Sequence, residues 1–413
     1  MRKQENPSIR QPMMLTELLS SRELQQKLME DCRNAALSFA KALMEQEVER
    51  LAGPKFSHKS EQQCWRGGSD TTRIVAGGEK VSVTRPRVRD KDGEVLLHSL
   101  KQLQDQDIFD EEIKDRMVLG VSSRNYKPVV KSWSDKLAIS KSNVSRAFMR
   151  ASKKDLDHLN TFDLSEYEFI ALMIDGVEIG GRTLIVALGI TQDCQKIPMG
   201  IREGDTENSV VVKDLLLSLK DRGFRFHTGR LLAVTDGSKA IKKGLKDIFG
   251  ETVLIQRCWL HKLRNLQKYL PDKQHKQLWW RMKKLMNLKN YEDAKKELGS
   301  FIEWLSDISI EAENSIREVG LELLTVHQLE VGGELRKSLY STNPIESLIF
   351  GIRHKVSRVK NWKSSSKKDQ IQRWMASSIL SHQKKMRRLR GKGQVEKLIQ
   401  NLKTKVDSLE RSA

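Results

Sequence analysis

A chain of 413 residues, 38% apolar and 31% charged, has material for two or three domains with cores of their own. Lys and Arg number 74 against 54 Asp and Glu, a formal +20, which points first to nucleic acid and second to an anionic membrane surface. The longest apolar runs, such as Leu184 to Ile190, are too short to span a bilayer, and the start Met1-Arg-Lys-Gln-Glu-Asn-Pro lacks a signal peptide's apolar core. Cys32, Cys64, Cys194 and Cys258 are too scattered for a disulfide framework, so a cytoplasmic protein without membrane contact is expected.

Residues 11 to 52 read as helix, with Leu15, Leu18, Leu19, Leu24 and Leu28 at helical spacing, then Ala35, Leu37, Phe39, Ala40, Leu43 and Met44. Gly53-Pro54 stops the pattern. From 61 to 100, turn signals separate two strand-like runs, Thr72 to Val75 and Val81 to Val88. Arg85, Arg87 and Arg89 alternate on one face of the second run. Such a strand either follows DNA phosphates or is a solvated edge protected by charge.

Between 107 and 150 the pattern is helical again, and Tyr126 to Arg150 reads as a helix-turn-helix. Val129, Val130 and Trp133 mark its first helix, Leu137-Ala-Ile139 packs the turn, and Ser140 caps a second helix from Lys141 to Arg150. Val144 and Phe148 are spaced to face inward, leaving Asn143, Ser145 and Arg146 for bases or phosphates. Any short helical hairpin shows a similar pattern.

Three apolar runs follow: Phe169 to Ile174, ending in Asp175-Gly176; Leu184 to Ile190; and Lys196 to Ile201. An amphipathic helix from Thr206 to Arg222, a strand Leu231 to Thr235 ending in Asp236-Gly237, a helix capped by Ser238 and a strand Val253 to Ile255 complete a mixed α/β sheet. Asp-Gly is commonly only a turn. Yet if their strands are parallel neighbours, Asp175 and Asp236 emerge at the same sheet edge, the edge where open α/β sheets bind ligands.

Cys258 and His261 have zinc-ligand spacing, but no second pair completes a site. They read instead as neighbours one helical turn apart, facing the same edge, or else as part of a half-buried helix face. Residues 262 to 335 are helical, with Trp279-Trp280 and Trp304. Ser341-Thr-Asn-Pro-Ile-Glu346 then has the look of a helix start, with three capping side chains and a proline for the first turn. Glu346 sits at the positive end of that helix, and Arg353 follows two turns later on about the same face. A capped surface helix with a spaced ion pair explains those residues alone. With Asp175 and Asp236, however, Glu346 makes three hard-oxygen carboxylates, enough to hold two Mg²⁺ ions about 4 Å apart for in-line phosphoryl transfer. Beyond Arg353 the chain is basic, and Trp362 and Trp374 interleave with Arg358, Lys360 and Lys363, a composition suited to tracking DNA.

Taken together, these motifs resemble the mutator-type transposases of bacterial insertion sequences, with their DDE-type, RNase H-like catalytic domain. The resemblance rests on Asp175-Gly176, Gly204-Asp-Thr-Glu-Asn208, Leu219-Lys-Asp-Arg-Gly223, Thr235-Asp-Gly237, Arg257-Cys-Trp-Leu-His-Lys-Leu-Arg-Asn265, Ser341-Thr-Asn-Pro-Ile-Glu-Ser347, Arg353-His354 and Val359-Lys-Asn-Trp362. It implies that Asp175, Asp236 and Glu346 are the metal-binding catalytic triad, with Cys258 and His261 as the group's Cys-x-x-His motif and Arg353 as the basic residue after the Glu. It also implies two Mg²⁺ ions per site (Mn²⁺ as substitute), cleavage at terminal inverted repeats, joining to target DNA, and a homodimer on paired ends, bound to the bacterial nucleoid.

The expected fold is an RNase H-like α/β catalytic domain interrupted by an all-helical insertion and preceded by a mainly helical DNA-binding region with a helix-turn-helix. Its expected divisions are 1–60, helical, for dimerisation and end binding; 61–105, β-rich and basic; 106–160, the helix-turn-helix; 165–261, the first part of the core; 262–338, the insertion; 339–385, the Glu helix; and 386–413, a basic tail. DNA contacts are expected at Arg85, Arg87, Asn143, Ser145, Arg146, Lys360 and Trp362. Two other functions fit parts of the pattern. A catalytically inactive, transposase-derived DNA-binding regulator needs the basic surface without the carboxylates, and a nuclease of RNA–DNA hybrids needs the carboxylates without the helix-turn-helix.

Overall fold

The helix expected before Gly53 runs from Arg22 to Ala52 (α1) and stops where Gly53 takes a left-handed φ of 72°. A computed structural model describes residues 22–56, 63–76, 79–104, 107–122, 141–204, 208–226, 228–359, 362 and 369–410. They form two compact units divided near residue 151.

In the first unit, Ala40, Met44, Val48 and Ala52 recur every fourth residue and line the core side of α1. Phe39, next to Ala40 in the apolar pattern, is instead 66% exposed. That core side packs on an antiparallel hairpin, Trp65–Ala76 (β1) and Glu79–Arg89 (β2), extended by the two-residue β3, Glu94–Val95. The Glu47 carboxylate of α1 accepts from the backbone N–H groups of His98 and Ser99, capping the helix His98–Leu103 (α2) from a distance in sequence. A further helix covers Asp107–Val118 (α3). The helix expected to end at Arg150 runs on from Lys141 to Thr161 (α4). Val144 and Phe148 are buried as expected, while the first helix and turn of the expected helix-turn-helix lie outside the described residues.

The second unit is built on a mixed five-stranded sheet: Phe169–Ile179 (β4), Arg182–Thr191 (β5), Lys196–Gly204 (β6), Leu231–Thr235 (β7) and Val253–Arg257 (β8). Its order is β6-β5-β4-β7-β8, antiparallel from β6 to β4 and parallel from β4 to β8. All five residues of β7 are buried, as a central strand covered on both sides requires. The helices Ser209–Asp221 (α5) and Lys239–Phe249 (α6) place Val212, Leu215, Leu216, Leu219, Ile241 and Leu245 in the core on one face. Gly189 of β5 makes room for Phe169: a Cβ there would lie 2.3 Å from the ring.

One strand runs longer than its sequence suggests. β4 does not end at Asp175-Gly176 but continues to Ile179, turning at Gly180 and Gly181, both at positive φ. Antiparallel pairing with β5 persists to Ile179 opposite Arg182, whereas parallel pairing with β7 stops at Ile174 opposite Thr235. Asp175 thus lies at the end of one ladder and in the middle of another.

After β8 the chain forms Trp259–Gln267 (α7), Asp272–Asn287 (α8), Tyr291–Ser306 (α9) and Ile310–Val319 (α10), around a separate core that includes Leu278, Met282, Phe301 and Ile316, and then Thr325–Gln328 (α11) and Gly333–Leu339 (α12). Three helices close the chain: Asn343–Val356 (α13), Gln370–Gln383 (α14) and Val395–Glu410 (α15). Among the described residues, no helix is long and apolar enough to cross a membrane.

A buried amide joins the sheet to the helices. Gln256 of β8 donates from Nε2 to the Leu323 carbonyl at 2.9 Å and accepts the Val326 N–H on Oε1 at 2.9 Å. The Thr325 hydroxyl donates to the neighbouring Ile255 carbonyl at 2.7 Å. Gln256→Leu leaves both backbone groups buried without partners. It is expected to destabilise the protein by about 2–4 kcal/mol, read as a lower denaturant midpoint at unchanged slope.

Candidate active site at the carboxyl edge of the sheet

The parallel register of β4 and β7 decides where the acids go. Ile174 and Thr235 are cross-strand partners, so the next residues, Asp175 and Asp236, leave adjacent strands at the same level and the same edge. Asp175 is 9% exposed, and its Oδ1 accepts the Gly176 N–H at 2.9 Å. Oδ1 of Asp236 accepts the Ser238 N–H at 3.0 Å, while the Ser238 hydroxyl caps α6 by accepting from the Ile241 N–H. Burial pushes the Asp175 carboxyl up to about 7; the charges of Asp236 and Glu346 add to the rise, and His261 partly offsets it.

Glu346 reaches this edge through a chain of hydrogen bonds. The Cys258 N–H, just past β8, donates to the Thr235 carbonyl at 2.8 Å, and the Trp259 N–H donates to the Tyr340 carbonyl at 3.2 Å. The Thr342 N–H points at Cys258 Sγ from 3.3 Å. Pro344 occupies the first turn of α13, as its sequence suggests. No side chain caps that helix, contrary to the reading of Ser341, Thr342 and Asn343; the Thr342 hydroxyl goes instead to Glu346 Oε1 at 2.6 Å. His261 Nδ1 lies 3.2 Å from that hydroxyl and 3.6 Å from Glu346 Oε1.

Cys258 and His261 therefore face the site edge together with Glu346, and their donor atoms lie within 4.8 Å of one another. Burial pushes the Cys258 thiol up, but hydrogen bonds from His261 and Thr342 outweigh it and hold the group below its usual range. Conversely, the bond to Cys258 raises His261 above the usual imidazole range, against burial.

Two residues have roles here that their sequence positions do not show. Thr342 reads as a cap, and Arg264, one turn past His261, stands in the sequence only as part of the Arg257–Asn265 motif; its Nη1 lies 3.9 Å from Glu346 Oε2. The i, i+3 spacing from His261 was the available signal. Arg353 is exposed two turns along α13 from Glu346, and Phe350, between them, is 74% exposed.

The expected DNA-contact residues fall elsewhere. Ser145 and Arg146 are exposed on α4. Arg85 and Arg87 converge on the single carboxylate of Glu94, at 2.9 and 3.0 Å, so their charge is partly matched within the sheet. Trp362 is half-buried against the β4–β5 turn, where a Cβ on Gly180 would lie 2.5 Å from its ring. Lys360 and the side chain of Asn143 lie outside the described residues.

A mixed sheet with two acids at one edge and a third carried to them on a helix defines an α/β protein with a carboxylate-rich site. The sequence matches the family model described as "Transposase, Mutator family" over residues 10–367, and the chain belongs to that family. It is 26% identical over 245 residues to the transposase for insertion sequence element IS6120 of Mycolicibacterium smegmatis, covering 57% of this chain and 72% of that one. With the transposase for ISRM5 of Rhizobium meliloti (strain 1021) it shares 25% over 327 residues, 76% of this chain and 78% of the other. The transposase for IS256 in transposon Tn4001 of Staphylococcus aureus is 25% identical over 343 residues, 78% of this chain and 83% of that one.

The strained charge of Asp175 has a measurable sign. Because its folded carboxyl holds a proton up to about 7 against 3.8 in the unfolded chain, ionisation opposes folding increasingly as pH rises across that window. Asp175→Asn is expected to melt above wild type at pH 8 in chelator, by at most about 4 kcal/mol of stability, with the gap closing near pH 4. Paired thermal melts across pH check this; a destabilised Asn variant at pH 8 would contradict the buried, charge-crowded placement.

Proposed function

We propose that this protein is a catalytically competent DNA transposase of the DDE type. In this reading it binds the terminal inverted repeats of its insertion sequence, cuts there, and joins the freed ends to target DNA. The observation that carries it is the placement of Asp175 and Asp236 one step beyond paired residues on parallel strands, with Glu346 held toward them. A sheet of three antiparallel strands followed by two parallel ones also supports an RNase H-like catalytic domain, with residues 262–338 as its helical insertion.

The donor set fits hard divalent cations. Asp175, buried and repelled by the charges of Asp236 and Glu346, is unstable as a bare anion, and oxygen ligands suit Mg²⁺ or Mn²⁺. Asp175, Asp236 and Glu346 would hold two such ions, which when bound supply activation of the attacking oxygen and charge neutralisation at the leaving oxygen. The chain's own groups set the rest. Gly176 and Ser238 fix the rotation of the two Asp carboxylates through their N–H groups. Arg264 and Arg353 bring cations to the Glu346 side, where a DNA phosphate would lie, and the exposed ring of Phe350 offers a face for a base. Water attacks the phosphorus at the element's end, the P–O3′ bond breaks, and the released 3′-hydroxyl attacks a phosphodiester of the target in the same manner. Ser145 and Arg146 on α4 and the basic segment around Trp362 serve end binding, and a homodimer pairs the two ends.

Duplexes carrying the inverted repeats that flank the open reading frame supply the assay. Cleavage is expected with Mg²⁺ or Mn²⁺ and not with chelator. Asp236→Asn is expected to keep end binding in a gel shift while losing on the order of 10³-fold or more in cleavage and strand transfer. Undiminished strand transfer in that variant would remove Asp236 from the chemistry, and binding without cutting under either metal would mark the chain as a DNA-binding regulator.

A further inference from the structure

We propose that Thr342 is a positioning residue: its hydroxyl joins Cys258, His261 and Glu346 into one unit that fixes the Glu346 carboxylate for metal binding. The inference rests on the metal-site reading of Glu346 given above. Thr342 is fully buried, and its Oγ1 lies 2.6 Å from Glu346 Oε1, 3.2 Å from His261 Nδ1 and 3.3 Å from Cys258 Sγ. A hydroxyl has one proton to give, and the shortest contact with the best acceptor takes it, so Thr342 donates to Glu346. Its lone pairs are then free to accept the His261 Nδ1–H, and Cys258 Sγ receives the Thr342 backbone N–H at 3.3 Å. The Thr342 hydroxyl is thus engaged within the cluster and is not spent on capping α13.

The same distances decide against a thiophilic metal at this point. Cys258, His261 and Glu346 offer a soft-metal donor set by composition, with ligand atoms within 4.8 Å of one another. The Thr342 hydroxyl, however, lies within hydrogen-bond reach of all three. An ion bonded to them at about 2.0–2.3 Å would have to displace it. The Cys-x-x-His pair thus acts on the carboxylate at second hand. Cys258 is anchored to the end of β7 by its N–H bond to the Thr235 carbonyl, so the relay fixes Glu346 relative to the strand that carries Asp236. Without it, a carboxylate on an isolated helix keeps its rotamers and gives up metal affinity to order them.

The test measures Mn²⁺ binding to the full-length protein without DNA, from loss of the free-ion electron paramagnetic resonance signal, beside end cleavage and thermal melting. Thr342→Val keeps the shape and removes the hydroxyl; Thr342→Ser restores it. The Val variant is expected to need about 10-fold or more Mn²⁺ for half-saturation and for half-maximal cleavage, and the Ser variant to recover most of the loss. In a Glu346→Gln background the Val change is expected to add nothing, because it acts through that carboxylate. Should the Val variant not fold, judged by its melt, Thr342→Ala takes its place. Wild-type Mn²⁺ binding in the hydroxyl-free variant, or a full further loss on top of Glu346→Gln, overturns the proposal while leaving the metal site intact. Wild-type Mn²⁺ binding by Glu346→Gln itself overturns the metal reading of Glu346, and the role of Thr342 falls with it.

Discussion

Two acidic side chains set side by side at the end of a buried parallel strand pair are the constraint that organises the second unit. The register that pairs Ile174 with Thr235 leaves Asp175 and Asp236 no other place to go. Burial already disfavours the Asp175 anion, and the neighbouring carboxylates disfavour it further. Such an arrangement survives only because the strands around it are firmly held. β4 is paired on both sides up to Ile174, and its neighbours β5 and β7 are almost wholly buried. Stability elsewhere offsets the electrostatic cost carried here.

Bringing Glu346 to the same edge is a problem of distance along the chain. Some eighty residues of helix separate β8 from α13, and a flexible connection of that length would leave the third acid unplaced. The structure solves this with contacts at both ends of the helical segment. Gln256 ties β8 to the region of Leu323 and Val326, and backbone bonds from Cys258 and Trp259 tie the start of α7 to β7 and to Tyr340. These fix the entry to α13 from the sheet side. The apolar stripe of α13, with Ile345, Leu348, Ile349 and Ile352 buried, sets its rotation and leaves Glu346, Phe350 and Arg353 on the open side.

The charge of the chain has a second reading in this light. A formal +20 is spread widely, and part of it is matched locally, as where Arg85 and Arg87 share Glu94. Exposed pairs of that kind contribute little to stability, and they reduce the charge a strand offers to phosphate. Near Glu346, Arg264 stays half out in solvent although it approaches that carboxylate to 3.9 Å, and Arg353 is exposed.

The presence of the strands, the glycine-marked end at Asp236, the apolar stripe of α13 and family membership could all be read from residues in order, because each depends on neighbours within a few positions. Local pattern failed where tertiary pairing overrode it. β4 ran past its Asp-Gly because β5 continued beside it, and Phe39 turned outward because the hairpin covers another side of α1. Thr342 was misread for the same reason: a hydroxyl at a helix start looks like a cap until a carboxylate one turn later and a histidine eighty residues away compete for it. The sequence by itself determined which residue types were available and where elements begin. Only the tertiary structure decided which of them meet, because strand register and hydrogen-bond choice are settled between segments that the order of residues keeps apart.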